Sequence, residues 1–184
     1  STRTRRTSVK QASCSWRFLP AFGRHLQRRR GDSRAAVELP QSRAFAYRAP
    51  MGTRRFLTGI VLGAGSRGMD AYAPWLEEHP DEGRIVAIAE PNARRREAFA
   101  RRYRIPAAMQ FTGHEAVFAR ERFADFVVVA TPDRAHVAPA LRALECGYDV
   151  LLEKPMAVGE DDCEALVAAA ERTGRLLQIC HVLR

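Results

Sequence analysis

The stretch GIVLGAGSRG at residues 59–68 decides how the rest of the chain is read. Its apolar run, Ile60-Val61-Leu62, leads directly into Gly63, Gly65 and Gly68. A short apolar run ahead of a glycine-rich turn predicts a strand at about 58–62, and a helix is expected to follow as far as Glu78. The spacing G-x-G-x-x-G is a weak signal alone, because glycine is common. Its setting strengthens it: a strand precedes, a helix follows, and an acid, Glu90, stands 22 residues beyond Gly68 at the end of a second predicted strand, 84–89. In that setting Gly63 permits a tight turn, Gly65 lets the backbone approach a pyrophosphate, and Gly68 lets the helix pack close to the sheet. Gly63, Gly65, Ser66, Arg67 and Gly68 are therefore expected to line a dinucleotide site, with the helix N-terminus facing negative charge. Glu90 is expected beside the adenosine ribose. A carboxylate there accepts from a 2′-hydroxyl and repels a 2′-phosphate, which favours NAD over NADP. Arg94, Arg95 and Arg96 follow at once, and an arginine swinging toward a phosphate keeps NADP open.

Downstream, strand and helix signals alternate. Asn92 suits the N-cap of a helix running to about Arg102, with Phe99 and Tyr103 four residues apart on one face. A short strand near 108–111 and a helix from His114 come next. The β-branched run at 124–130 reads as a parallel strand buried on both faces. Val137, Leu141 and Leu144 mark a helix over 134–146, and Gly147 suits its stop. A strand is expected at 149–152, then a helix from Glu160 with an apolar stripe of Cys163, Leu166, Val167 and Ala170, ended by Gly174. A last strand is expected at 176–182. Six strands with intervening helices predict a three-layer α/β/α domain built on a doubly wound parallel sheet, with right-handed crossovers gathering the loops at its carboxyl edge.

Charge separates this domain from what precedes it. Residues 1–50 hold 12 Arg and Lys against two acids, a charge of +10, while residues 51–184 hold 18 against 19, a charge of −1, within a total of +9. Residues 1–50 show no sustained apolar period, and Met51 reads as the natural start, so the basic stretch is expected to be a disordered or non-native leader outside the 51–184 domain. An Arg- and Ser-rich transit peptide or a nucleic-acid-binding arm are the alternatives. The neutral domain gives no footprint for nucleic acid. Arg54-Arg55 before an apolar run resembles an export signal, but cleavage beyond that run would destroy the glycine motif. Cys14, Cys146, Cys163 and Cys180 show no metal-ligand spacing, so buried thiols in a reducing cytoplasm and no bound metal are expected. No apolar stretch reaches the length of a membrane span.

The second cluster is Glu153-Lys154-Pro155, just after the fifth predicted strand. Lys154 is the one lysine among residues 51–184, against 17 arginines. A retained ammonium where arginine otherwise supplies positive charge points to proton transfer or a compact contact with nicotinamide and substrate. Lys154 is thus the candidate catalytic residue. Thr131-Pro132-Asp133 follows the fourth strand, at the crossing where ligands sit in such sheets. For His136 a ligand contact and a packing or capping role both remain open.

These segments together resemble the N-terminal domain of the Gfo/Idh/MocA (glucose–fructose oxidoreductase, inositol dehydrogenase, rhizopine-catabolism) oxidoreductases. The matching stretches are GIVLGAGSRG at 59–68, VVVATPDRAHVAPALRALECGYDVLLEKPMA at 127–157 and LLQICHVLR at 176–184. The resemblance implies that Gly63, Gly65 and Gly68 hold the pyrophosphate and that Glu90 meets the adenosine ribose. It implies that Thr131, Pro132 and His136 border the nicotinamide half, and that Glu153 and Lys154 are the acid and lysine of the family's EKP element. Asp133 stands where many members have Asn. A second domain, absent from this chain, would supply substrate contacts and further catalytic groups and build a homo-oligomer. The implied activity is hydride transfer between NAD(H) and a hydroxyl carbon of a sugar, cyclitol or other polyol. NAD-dependent glycoside cleavage by transient oxidation is one alternative, and a noncatalytic NAD-binding sensor or partner subunit is another.

Overall fold

The computed structural model describes residues 55–180. The basic leader, Cys14 and the end of the expected last strand, including His181, lie outside the described residues. Strand β1 (Leu57–Leu62) leads through the glycine loop into helix α1, whose first part (Arg67–Tyr72) is wound as a π-helix before it continues as an α-helix (Ala73–Glu78). Pro74 sits at the change of winding: it has no N–H to give to the carbonyl four residues back, and its ring crowds that carbonyl. Then follow β2 (Gly83–Ala89), α2 (Ala93–Tyr103), β3 (Gln110–Phe111), α3 (His114–Phe118), β4 (Phe126–Val129), α4 (Val137–Glu145), β5 (Asp149–Leu152), α5 (Glu160–Thr173) and β6 (Leu177–Ile179). The strands form one sheet in the order β3-β2-β1-β4-β5-β6, with each neighbouring pair parallel. The doubly wound α/β fold expected from the sequence is the fold observed.

The sheet is apolar on both sides because helices cover both sides. Val61, Ile88, Val128 and Leu151 pack with Tyr72, Trp75 and Phe99 from α1 and α2. Their strand neighbours Ile60, Leu62, Val127, Val129, Val150 and Leu152 face Phe118, Leu144 and Leu166 from α3, α4 and α5. Side chains alternate along a strand, so each strand serves two cores and needs the uninterrupted apolar runs seen in the sequence.

Local chemistry matches several of the expected ends. The Asn92 side chain accepts the N–H of Arg95 at 3.1 Å, which caps α2, and the rings of Phe99 and Tyr103 lie 4.6 Å apart. The fourth strand is shorter than expected, yet the N–H groups of Asp125 and Ala130 still bond to β1 at 2.8 Å beyond its two ends. In α5 the buried residues are Leu166 and Ala169, while Val167 is 47% exposed. The helix meets its neighbours along an i, i+3 seam, which leaves Val167 on the outer flank of the stripe drawn from sequence. Cys180 is buried, and Cys146 and Cys163 are only half-buried.

Candidate functional site

The carboxyl ends of the strands bring the fingerprint loop, the 131–136 segment and the 153–155 segment to one edge. Strand β1 lies between β2 and β4, so the chain leaves the sheet in opposite directions on either side of it, and a crevice opens there. The three glycines are needed for three different reasons. Gly63 has φ of +95°, and a Cβ on it would lie 2.5 Å from the Ala130 carbonyl oxygen, so both its conformation and its neighbour exclude a side chain. A Cβ on Gly68 would lie 2.0 Å from the Gly63 oxygen, so helix α1 can start against the loop only if that residue is bare. A Cβ on Gly65 would meet nothing within 4 Å. Gly65 therefore leaves an open face beside the backbone, the feature a bulky phosphate ligand requires.

Two buried carboxylates flank this loop. Glu90 follows β2 and is 3% exposed. Its Oε2 accepts the N–H of Ala64 at 2.8 Å, and its Oε1 accepts the N–H of Asn92 at 2.9 Å and Nη2 of Arg95 at 3.0 Å. Burial on its own would raise the carboxyl pKa, but those N–H groups and the Arg95 guanidinium outweigh it and hold Glu90 below its usual value. A carboxylate offers about four acceptor sites, so these three donors leave capacity for one hydroxyl. Arg96 Nη1 donates to the Glu90 carbonyl at 2.7 Å.

Glu153 follows β5 and is 4% exposed. Alternation places its side chain on the same face as Leu151, the face covered by α1. There its Oε1 accepts the Tyr72 hydroxyl at 2.5 Å and pairs with Nε of Arg67 at 3.2 Å, while Oε2 accepts the N–H of Lys154 at 2.7 Å. Burial first, then Cys180 and Glu153, drive the Tyr72 pKa well above the usual phenol range. Burial likewise pushes the Cys180 thiol up to about 12. Tyr72 went unread in the sequence; one tyrosine in the inner turn of a helix gives no signal until its partner 81 residues away is in place.

The remaining expected residues are placed as follows. Lys154 is exposed at the edge, and the Lys154–Pro155 peptide is cis. Ser66 is exposed on the loop, Pro132 is exposed, and the Thr131 hydroxyl donates to the Ala135 carbonyl at 2.9 Å. His136 is 1% exposed, and its ring nitrogens face the carbonyls of Pro155 at 2.7 Å and Thr131 at 2.9 Å. It joins the two loops from beneath, with no ring nitrogen turned to the crevice. Among the described residues no group of three or more His, Cys, Asp and Glu could hold a metal ion, and no helix is long and apolar enough to cross a membrane.

An open dinucleotide loop, an acid at the second strand end and a lysine at the fifth define an NAD-binding Rossmann domain, and comparison with known proteins agrees. Residues 57–181 match the oxidoreductase family GFO_IDH_MocA, NAD-binding Rossmann fold. The chain belongs to that family, and its cofactor is a nicotinamide adenine dinucleotide. It is 33% identical over 125 residues to an inositol 2-dehydrogenase/D-chiro-inositol 3-dehydrogenase of Shouchella clausii, covering 67% of this chain and 35% of that protein. Among solved structures it resembles an aldose-aldose oxidoreductase of Caulobacter crescentus complexed with glycerol, at 30% identity and a TM-score of 0.61, covering 68% of this chain and 37% of that one. It also resembles KijD10, a 3-ketoreductase of Actinomadura kijaniata in complex with NADP and TDP-benzene, at 29% identity and a TM-score of 0.60, with the same 68% and 37% coverage. The chain spans about a third of the length of these relatives.

Proposed function

We propose that this chain is the cofactor half of an oxidoreductase that moves a hydride between NAD(H) and a hydroxyl-bearing carbon of a sugar, cyclitol or related polyol. The observation that carries the reading is the open face at Gly65 between Glu90 and Lys154: a loop backbone that phosphates can approach, with a ribose acceptor on one side and an exposed ammonium on the other. Gly63, Gly65, Ser66 and Gly68 would hold the pyrophosphate, Glu90 the adenosine ribose, and Thr131 and Pro132 the nicotinamide side. The bound nicotinamide supplies the hydride chemistry. Lys154 Nζ would donate a hydrogen bond to the substrate hydroxyl or carbonyl oxygen and hold or release its proton as charge develops there. The relatives named above are an inositol dehydrogenase, an aldose-aldose oxidoreductase and a 3-ketoreductase, and the first two support a polyhydroxylated substrate. The substrate wall and a partner for Lys154 would come from a second domain, for which the greater length of those relatives leaves room. Residues 1–50 would take no part.

Glu90 supports NAD over NADP. Calorimetric titration of the chain with NADH and NADPH tests this, with tighter NADH binding expected. Tighter NADPH binding would shift the ribose assignment to Arg95, and no binding of either would end the reading. A chain starting at Met51 should bind as the full chain does.

A further inference from the structure

Lys154 is exposed, yet the backbone that carries it is gripped on both sides. Its N–H donates to Glu153 Oε2 at 2.7 Å, and the carbonyl of Pro155 faces His136 Nδ1 at 2.7 Å. Glu153 in turn meets Arg67 Nε at 3.2 Å and the Tyr72 hydroxyl. Arg67 and Tyr72 begin and end the π-helical part of α1, directly after the glycine loop. An arginine inside a phosphate-binding loop is ordinarily expected to meet the phosphates. Here its Nε, the N–H nearest the backbone and the least free to move, faces a nearly fully buried carboxylate.

We propose that Arg67 is a positioning residue: through Glu153 it sets where Lys154 stands relative to the glycine loop, and it does not itself hold the cofactor phosphates. This rests on the reading that the glycine loop takes the pyrophosphate and that Lys154 serves the reacting end. Glu153 acts as the relay because its two oxygens face different elements. Its Oε1 belongs to α1, and its Oε2 holds the Lys154 amide. A shift of α1 is thereby passed to the lysine. Tyr72 is the second arm of the same contact. Partly buried pairs are poorly screened by salt, so the coupling should persist at ionic strengths that loosen phosphate contacts.

The cofactor-free chain carries the first test, amide hydrogen exchange read residue by residue by NMR. Arg67→Met should speed exchange at Lys154 by about tenfold or more, because a charged partner of its acceptor is lost. Exchange at Asn92, whose N–H is held by Glu90, should stay unchanged. Arg67→Lys keeps a cation in reach of Glu153 in what is a single-point contact and should restore most of the protection. Unchanged exchange at Lys154 in Arg67→Met overturns the proposal, and so does equal acceleration at Lys154 and Asn92, which would mean general loosening. The second test is the NADH dissociation constant of Arg67→Met, Glu153→Gln and the double variant. The double should bind no more weakly than the weaker single, since both break one linkage. Losses that multiply would mean that Arg67 contacts the phosphates independently and would overturn the proposal. Should Glu153→Gln not fold, Tyr72→Phe replaces it in the cycle. If the unaltered chain takes up no NADH, the cofactor reading fails, while amide exchange still decides the role of Arg67.

Discussion

Glu90 and Glu153 stand on opposite sides of the glycine loop and are held in parallel ways. Each follows a parallel strand, each is almost fully buried, and each accepts the N–H of a residue one or two places further on, Asn92 or Lys154. Each also pairs with an arginine, Arg95 or Arg67. They differ in how they reach the loop. Glu90 takes a backbone N–H, that of Ala64, so any side chain at 64 that fits leaves the contact standing. Glu153 reaches α1 only through side chains, Arg67 and Tyr72, so its link is open to single substitutions. One side of the crevice is built to hold the loop whatever the side chains are. The other ties the loop to the residue proposed to do chemistry.

If that division is right, the largest effect lies on the Glu153 side. In a protein that carries the proposed second domain, Lys154→Met should lower turnover by about 10²-fold or more, the usual scale for a positioned proton-transfer group, with NADH affinity largely intact. Lys154→Arg should fail nearly as badly, because guanidinium is bulkier and does not give up its proton. Steady-state rates over a panel of polyols decide it; near-normal turnover of the arginine variant with unchanged pH dependence would remove proton transfer from Lys154.

The loop between the two acids offers a matched pair. Gly68→Ala forces a Cβ to within 2.0 Å of the Gly63 oxygen, so it should destabilise the domain by roughly 1–3 kcal/mol, the usual range for overpacking. Gly65→Ala adds its methyl to open space; thermal unfolding should move little, while NADH binding weakens because the open face is filled. Equal losses of stability in the two variants would mean that Gly65 is bare for packing instead of for a ligand.

On the Glu90 side the expected effect is smaller. Glu90→Gln should cost about 1.5 kcal/mol of NADH binding, the lower range for a hydrogen bond to a charged group, and narrow the preference over NADPH. It also carries a pH signature. The folded carboxyl of Glu90 titrates below its unfolded value, so the unfolded chain binds more protons in the interval between the two. Its stabilisation is full above about pH 4.3, the ordinary value for glutamate, and is lost as pH falls below that through the depressed folded value. Acid unfolding followed by circular dichroism should show a shallower dependence in Glu90→Gln than in the parent, and identical acid limbs would contradict the assignment.

The smallest change is expected beneath Glu153. Cys180 is 5% exposed and its thiol is pushed up to about 12, so alkylation at pH 8 should leave it intact in the folded chain while the half-buried Cys146 and Cys163 react. Mass mapping that finds Cys180 modified as fast as those two would show that the floor under Glu153 is open.

Much of this architecture was legible residue by residue. Apolar runs located β1, β2, β4 and β5, Asn92 announced its helix, and the glycine spacing with Glu90 marked the loop and its acid. Val167 misled because a helical stripe is about 100° wide or more, and sequence does not say which edge of it faces the neighbour. The change of winding in α1 has no periodic signature in sequence.

Periodicity and local bonding are properties of neighbouring residues, so the chain alone specifies most of its strands, the Asn92 cap and the bare positions of the glycine loop. What a buried polar group pairs with is another matter, because it must find whichever donor the crossovers bring near. The sheet order put Tyr72 and Arg67 of α1 over Glu153. It also turned His136, open in sequence between ligand contact and packing, onto the carbonyls of Thr131 and Pro155. Tyr72 and Arg67 are tens of residues away from Glu153 along the chain, and a buried carboxylate must find such partners in place of water.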